Sequence, residues 1–342
     1  SFEQLMGRFT QLHALGIRDA SLLLDDIPDV LTDPEDQRRY PDAATAHADL
    51  ASRWARAMHD LDPGWRLSVC PLVYHGRGDE PYLATLAAGL PSNVDIMWTG
   101  REICSRTLDL MDGATFWRTT ARPPLWWDNY PVNDLAMRNR LHIGPLKGRD
   151  PHLHRVSAGH YANAMEHAEC TRISLGTIAD YLWDPSGYDP ETSWHLSLRR
   201  VAGDAAPLMA EFADNLRSSC LPDGESPRLH GVLVQAWHQR RDGDLAGSAA
   251  TLRDAADRID EVASRLRGGE LTNAALLREI EPWIDEYRVG ADDLRAAADV
   301  TDGTSSAAGD LLRRRRMVGY TRAQIFGDVI DGFISDLGEG TL

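Results

Sequence analysis

Two adjacent aspartates, Asp25 and Asp26, close the apolar run SLLLDDI, residues Ser21 to Ile27. Neighbouring side chains on an extended strand point to different sides, so two carboxylates in a row reach different atoms of one ligand. One can carry a proton while the other stays ionised, which is what general acid–base chemistry asks for. The alternative is a turn-initiating aspartate pair, as read for Asp292-Asp293, which looks like a helix start. A second group is PPLWWDNYPVND, Pro123 to Asp134. Its paired tryptophans, followed by Asp128, Asn129, Asn133 and Asp134, set flat apolar surface beside hydrogen-bonding side chains. That mixture suits a sugar, which has C–H faces to stack and hydroxyls to satisfy. Core packing accounts for at least one of Trp126 and Trp127, and loop or cap roles stay open for Asn133 and Asp134. The strings CPLVYHG (Cys70 to Gly76) and SAGHYANAMEHAE (Ser157 to Glu169) add Tyr74 and Asn163 at strand ends.

Other chemistries find less support. His152, His154, His160 and His167 match no ligand spacing and read as loop or surface residues, so no metal is expected. The four cysteines lie 34, 66 and 50 residues apart without a CxxC pair, which reads as buried free thiols. GxSxG, the P-loop pattern and GxGxxG are absent, against serine hydrolases, P-loop NTPases and dinucleotide enzymes; no cofactor is called for. A net charge of −16, from 52 acidic and 36 basic residues, argues against a nucleic-acid partner. Arg313 to Arg316 therefore reads as a solvated helix face or as partners for the acids. No apolar stretch approaches the length of a membrane span. Lys147 is the only lysine, the mark of a GC-rich, bacterial genome.

The elements that must carry these residues fall into two halves. Up to about residue 185, short apolar runs alternate with helical patterns: Ala20–Leu24, Arg66–Tyr74, Val94–Trp98, Pro124–Trp127 and, less clearly, His154–Ala158. Between the first two, Leu50, Trp54, Ala57, Met58 and Leu61 share one helical face. Strand–helix alternation implies parallel βα units, in an open doubly wound sheet or in part of a (β/α)8 barrel; periodicity does not separate these. Beyond DPSGYDP (Asp184 to Pro190) helices dominate, with a stripe at Leu245, Leu252, Ala256, Ile259, Val262 and Leu266. Similar patterns cover Leu271–Tyr287, Ala291–Asp299 and Thr321–Leu337, and this half reads as a helical bundle.

Together, SLLLDDI, CPLVYHG, DIMWTGREI, LWWDNYPVND with LHIGPLKGR, and NAMEHAE to TIADYLWDP resemble glycoside hydrolase family 84. These are the β-N-acetylglucosaminidases that include the O-GlcNAcases and the bacterial hyaluronidase-like enzymes. The strings cover most of residues 15 to 195. The resemblance implies a (β/α)8 TIM barrel followed by an all-α helical bundle, with residues 1–185 as the C-terminal part of the barrel domain and 186–342 as the bundle. It implies a retaining exo-enzyme that removes β-linked GlcNAc, O-GlcNAc on protein above all, with the substrate's acetamido oxygen as nucleophile and an oxazoline intermediate. Asp25 would polarise the acetamido N–H, and Asp26 would protonate the leaving oxygen and then activate water. Tyr74 and Trp127 would form the acetyl pocket; Asn129, Asp134 and Asn163 would bind hydroxyls.

The family's barrel begins with strands carrying a sugar-binding glycine and lysine. Lys147 lies too late to be that lysine, and five strands stand where eight are needed, so the earlier strands are expected before Ser1. With that start missing, the compartment is undecided. The expected partner is a GlcNAc-bearing glycoprotein, glycopeptide or glycan, and a homodimer is compatible. The competing reading is a catalytically decayed GlcNAc- or glycopeptide-binding protein whose helical domain mediates protein interaction.

Overall fold

The computed structural model describes residues 1–304 and 323–338. The chain forms two compact units: Ser1–Asn129 with Gly148–Asn163, and Tyr130–Lys147 with Ala164–Leu342. The first unit is α/β. Its strands β1 (Asp19–Leu23), β2 (Arg66–Cys70), β3 (Val94–Trp98), β4 (Leu125–Asp128) and β5 (Gly159–Ala162) pair in sequence order, all parallel. Between them run α1 (Phe2–Ala14), α2 (Pro34–Arg39), α3 (Ala43–Leu61), α4 (Pro81–Gly89) and α5 (Leu110–Thr120), α1 standing before β1. The sheet curls as half a barrel. Among the described residues, β1 and β5 each pair with a single strand.

Alternation along the strands sorts residues onto two faces. Leu22, Val69, Ile96, Trp98 and Trp126 pack against Trp54 and Met58 of α3, Leu83 and Leu86 of α4 and Phe116 of α5. Each such side chain contributes about 1.5–3 kcal/mol on burial, so this layer holds the unit together. The residues next along the strands, Cys70, Met97 and Leu125, form a separate small cluster joined by Tyr74 and Trp127. Helix starts are set locally: the Asp42 carboxylate accepts from the Thr45 N–H at 2.7 Å, and Asp109 does the same for Asp112 at 2.8 Å.

Four of the five expected strands appear within a few residues of their predicted bounds. The fifth is displaced. Leu153–Val156 forms a 3₁₀ turn, and the strand runs over Gly159–Ala162. Leu153 and Val156 are buried under the helical layer, so their apolar character reports packing of a turn rather than a strand.

The second unit is helical: α6 (Ala168–Trp183), α7 (Pro190–Ala202), α8 (Ala206–Ala213), α9 (Pro227–Arg241), α10 (Leu245–Arg265), α11 (Ala274–Thr301) and α12 (Val329–Gly338). The expected stripe on α10 buries Leu252, Ala256, Ile259 and Val262, while Leu245 at its start is exposed. Lys147 reaches Glu191 at 2.9 Å and Asp223 at 2.7 Å, and Arg217 joins Glu191, Asp214 and Asp223 in the same network. Hydrogen bonds from Arg217 hold the Glu191 carboxyl down to about 2. Among the described residues, no helix is long and apolar enough to cross a membrane. The run Arg313–Arg316 lies outside the described residues.

Two expectations fail on α11. The patterns at Leu271–Tyr287 and Ala291–Asp299 belong to one helix of 28 residues, and Asp292-Asp293 lies inside it rather than at a start. Gly290, inside this helix, marks a packing contact. A Cβ there would sit 2.3 Å from the buried Phe326 ring. Gly290→Ala is therefore expected to destabilise by about 1–3 kcal/mol through overpacking, despite alanine's better helix propensity. A thermal melt reads this; a rise in Tm would show that the ring yields.

Candidate active site

In a parallel sheet all strands end at the same edge, so residues just past those ends come from distant sequence positions to one rim. Here β1 leads into Asp25 and Asp26, β2 into Tyr74, β4 into Asn129 and β5 into Asn163. The β1–β2 ladder extends one step past the strand, with the Leu24 N–H donating to the Cys70 carbonyl at 2.9 Å. The chain then turns. Asp26 adopts a left-handed φ of 54°, a conformation Asp tolerates better than most residues. Asp25 is half-buried and Asp26 exposed.

The Tyr74 hydroxyl donates to Asp26 Oδ1 at 3.3 Å. Burial, and then the charge of Asp26, push the Tyr74 phenol up to about 12, so it remains an O–H donor at neutral pH. The Cys70 thiol lies against Asp25; burial first and that carboxylate second push it up, so it stays a neutral thiol. Tyr74 and Trp127 both pack on the Cys70–Met97–Leu125 cluster, which places the aspartate side and the tryptophan side of the rim on one floor.

On the tryptophan side the hydrogen bonds converge on Asn129. Its Oδ1 accepts from Trp127 Nε1 at 2.8 Å and from Asn163 Nδ2 at 2.9 Å, while its Nδ2 donates to the Ile103 carbonyl at 2.7 Å. With its N–H committed to Asn129, Trp127 offers a ligand its ring rather than its donor. Trp126 is the core member of the pair, fully buried with Nε1 donating to Ser157 Oγ at 2.7 Å.

Beneath Asn129 lies a residue pair the sequence reading missed. Arg149 donates to Asp128 through Nε at 2.8 Å and Nη2 at 2.5 Å, both side chains being almost wholly buried, and His160 Nε2 stands 3.3 Å from the same carboxylate. Burial, the largest single effect, pushes Asp128 up; the charge and hydrogen bonds of Arg149 and His160 together outweigh it and bring the carboxyl down to about 2. Arg149 ends the string GPLKGR and Asp128 lies in WWDNYPVND, so the joint occurrence of those strings was the available signal.

Asp134 belongs to the second unit, exposed at the start of a single 3₁₀ turn (Leu135–Met137). Asn133 beside it is buried, its amide donating to the Arg140 carbonyl at 2.6 Å, which is a loop-closing role. A cavity of about 770 Å³ opens over the sheet, lined by Ser21, Ser68, Asp95, Met97, Trp127 and Asn163 among others. Asp25 and Asp26 are not in its lining, because it spreads over the middle and beginnings of the strands while the carboxylates stand past their ends. Of the four histidines weighed as ligands, His160 faces Asp128, His152 lies beside His154, and His167 packs on Trp283. Among the described residues no three His, Cys, Asp or Glu side chains cluster as a metal site would need.

A parallel sheet carrying paired carboxylates, an aromatic face and oriented amides at one rim has the make-up of a glycoside hydrolase. Residues 1–214 match the model of the beta-N-acetylglucosaminidase family NAGidase, and the chain belongs to that family. It is 25% identical over 183 residues to the protein O-GlcNAcases of Rattus norvegicus and Mus musculus, a match over 52% of this chain and 19% of theirs. The matched region thus spans about a fifth of those curated relatives. Among solved structures, a mutant O-GlcNAc hydrolase from Thermobaculum terrenum superposes with a TM-score of 0.92 at 28% identity, over 99% of this chain and 75% of that one. The resemblance carried by WWDNYPVND and GPLKGR is borne out at the level of the family.

Proposed function

We propose that this chain carries the catalytic residues of a retaining exo-β-N-acetylglucosaminidase that removes β-linked GlcNAc, with O-GlcNAc on protein as the substrate class. Its five parallel strands are read as five of the eight in a (β/α)8 barrel. The observation that carries the reading is the pairing of Asp25 and Asp26 at one strand end, with Tyr74 on Asp26.

Ordinary retaining glycosidases set a nucleophilic carboxylate across the sugar from the acid, about 5–5.5 Å away. Two consecutive residues at one strand end suit the substrate-assisted exception instead. The acetamido oxygen attacks the anomeric carbon as the bond to the leaving oxygen breaks. Asp26 gives its proton to that oxygen, and Asp25 holds the acetamido N–H as positive charge develops in the ring. Asp26 then takes a proton from the water that opens the oxazoline. A tethered nucleophile needs alignment rather than capture, and effective molarities for aligned groups reach about 10⁵–10⁸ M. Trp127 supplies the apolar wall, and Asn129 and Asn163 the contacts to hydroxyls.

The test is release of p-nitrophenol from its β-N-acetylglucosaminide by the whole protein. Release is expected, with loss on Asp26→Asn. Tight binding of GlcNAc without release would favour the decayed binding protein, and neither binding nor release would sink both readings.

A further inference from the structure

Tyr74 lies in the loop between β2 and α4, residues 71–80, which also carries Gly76 and Gly78 at positive φ. A loop of such backbone freedom needs outside anchors to hold one side chain in place. The first residues around α4 supply them. The Glu80 carboxylate accepts from the Arg77 N–H at 2.5 Å and from the Gly78 N–H at 2.9 Å, which fixes the exit of the loop. Tyr82 fixes the entry: its hydroxyl oxygen accepts from the Leu72 N–H at 3.2 Å, two residues before Tyr74. The Tyr82 hydroxyl is held in turn by the buried His47 of α3, whose Nδ1 lies 2.8 Å away. An oxygen that already receives the Leu72 N–H best gives its own proton to Nδ1, which assigns His47 as the Nε2–H tautomer. Burial lowers the His47 pKa and pushes the Tyr82 phenol up to about 12, so both groups are neutral near pH 7. Helices α3 and α4 have little room to slide, since a Cβ at Gly89 would lie 2.7 Å from that of Ala48.

We propose that Tyr82 is a positioning residue for the general acid: through the Leu72 N–H it sets where Tyr74 stands, and so which oxygen of Asp26 delivers the proton. The Tyr74 hydroxyl donates to Asp26 Oδ1, which leaves Oδ2 to carry the proton toward the leaving oxygen. Without the Tyr82 hydroxyl the half-buried Leu72 N–H loses its partner, and the entry of the loop shifts to find another. The exit stays in place, held by Glu80 and by the Gly76 N–H on the Gly100 carbonyl at 2.9 Å. The Tyr74 carbonyl is held separately by the Thr99 N–H at 2.8 Å, so a shift at Leu72 turns Tyr74 about that point and swings its ring off Asp26. The inference rests on the proposed activity, in which Asp26 is the acid.

The experiment measures kcat/KM on phenyl and dinitrophenyl β-N-acetylglucosaminide for wild type, Tyr82→Phe, Tyr74→Phe and the double variant, with a thermal melt of each. Misplacing an orienting group by about 1 Å costs up to about 10²-fold, so Tyr82→Phe is expected to lose about 10-fold on the phenyl substrate, whose leaving group needs the acid. On the dinitrophenyl substrate, which leaves without a proton, it should stay within about 2-fold of wild type. Tyr74→Phe should show the same contrast, and adding Tyr82→Phe to it should not widen it, because Tyr82 acts through Tyr74. Equal losses on both substrates, or contrasts that multiply in the double variant, would make Tyr82 a structural support and overturn the proposal. Wild-type kinetics in Tyr82→Phe overturns it too. If Tyr82→Phe melts below the assay temperature, His47→Leu and His47→Asn carry the test. His47→Leu removes the acceptor and should reproduce the contrast; His47→Asn sets an amide oxygen near the place of Nδ1 and should restore wild-type rates. Two histidine variants that behave alike would overturn the proposal. If wild type is inactive on both substrates, the proposed activity falls and this inference with it; if wild type is active and the contrast is missing, only this inference falls.

Discussion

Asp26→Asn is expected to lower kcat/KM on aryl β-N-acetylglucosaminides by about 10²–10⁴-fold, the usual worth of a general acid, and the loss should shrink as the leaving group improves. A dinitrophenolate departs without a proton, so a substrate carrying it needs little from Asp26 while the acetamido group stays aligned. Asp25→Asn should behave otherwise. In the proposed mechanism its charge opposes the positive charge that grows as the oxazoline ring closes, and that is needed whatever leaves. The structure gives the two carboxylates different surroundings: Tyr74 donates to Asp26, and the neutral Cys70 thiol lies against Asp25. Plots of log kcat/KM against leaving-group pKa should therefore be steep for Asp26→Asn and shallow for Asp25→Asn. Reversed slopes would exchange the roles; full activity in both variants would put the carboxylate pair elsewhere.

What could be read in advance follows from where the physics is local. Strands β1 to β4 were legible because a strand buried by helices is a short apolar run, as in Val94–Trp98. Helix α3 was legible because Trp54 and Met58 recur at helical spacing. The displaced fifth strand shows the limit: Leu153 and Val156 are as apolar as strand residues, and only their tertiary neighbours make them a turn. Gly290 likewise takes its meaning from a tertiary neighbour, being small to admit Phe326. At the rim, the side chains expected to act were nameable from strings such as SLLLDDI and WWDNYPVND. The groups that orient them were not. The acceptor holding Asn129 is the backbone carbonyl of Ile103, and a carbonyl leaves no trace in residue type. Arg149 lies 21 residues from Asp128, a separation at which no periodicity argument operates.

That pair is where the largest loss of stability is expected. Arg149→Gln would leave the Asp128 carboxylate buried with its main counter-charge gone, and breaking a buried pair from one side costs about 3–5 kcal/mol. The double variant Asp128→Asn with Arg149→Gln removes the stranded charge, so it should recover much of that loss, which a surface pair would not do. Acid titration adds a second signature. In wild type the Asp128 carboxyl sits at about 2, below its ordinary 3.8, so its contribution is complete above about pH 4 and is lost as pH falls toward 2. In Arg149→Gln the sign reverses: burial dominates, the carboxyl rises above its unfolded value, and protonation favours the folded state. The gap between wild type and variant in urea unfolding should therefore narrow from pH 7 toward pH 3. A gap that stays constant would mean that Asp128 finds another cation or reaches water. Asp128 also stands directly before Asn129 in the chain, so the variant should weaken GlcNAc binding even at temperatures where it remains folded. Unchanged binding beside a large stability loss would separate the pair from the site and confine it to the core.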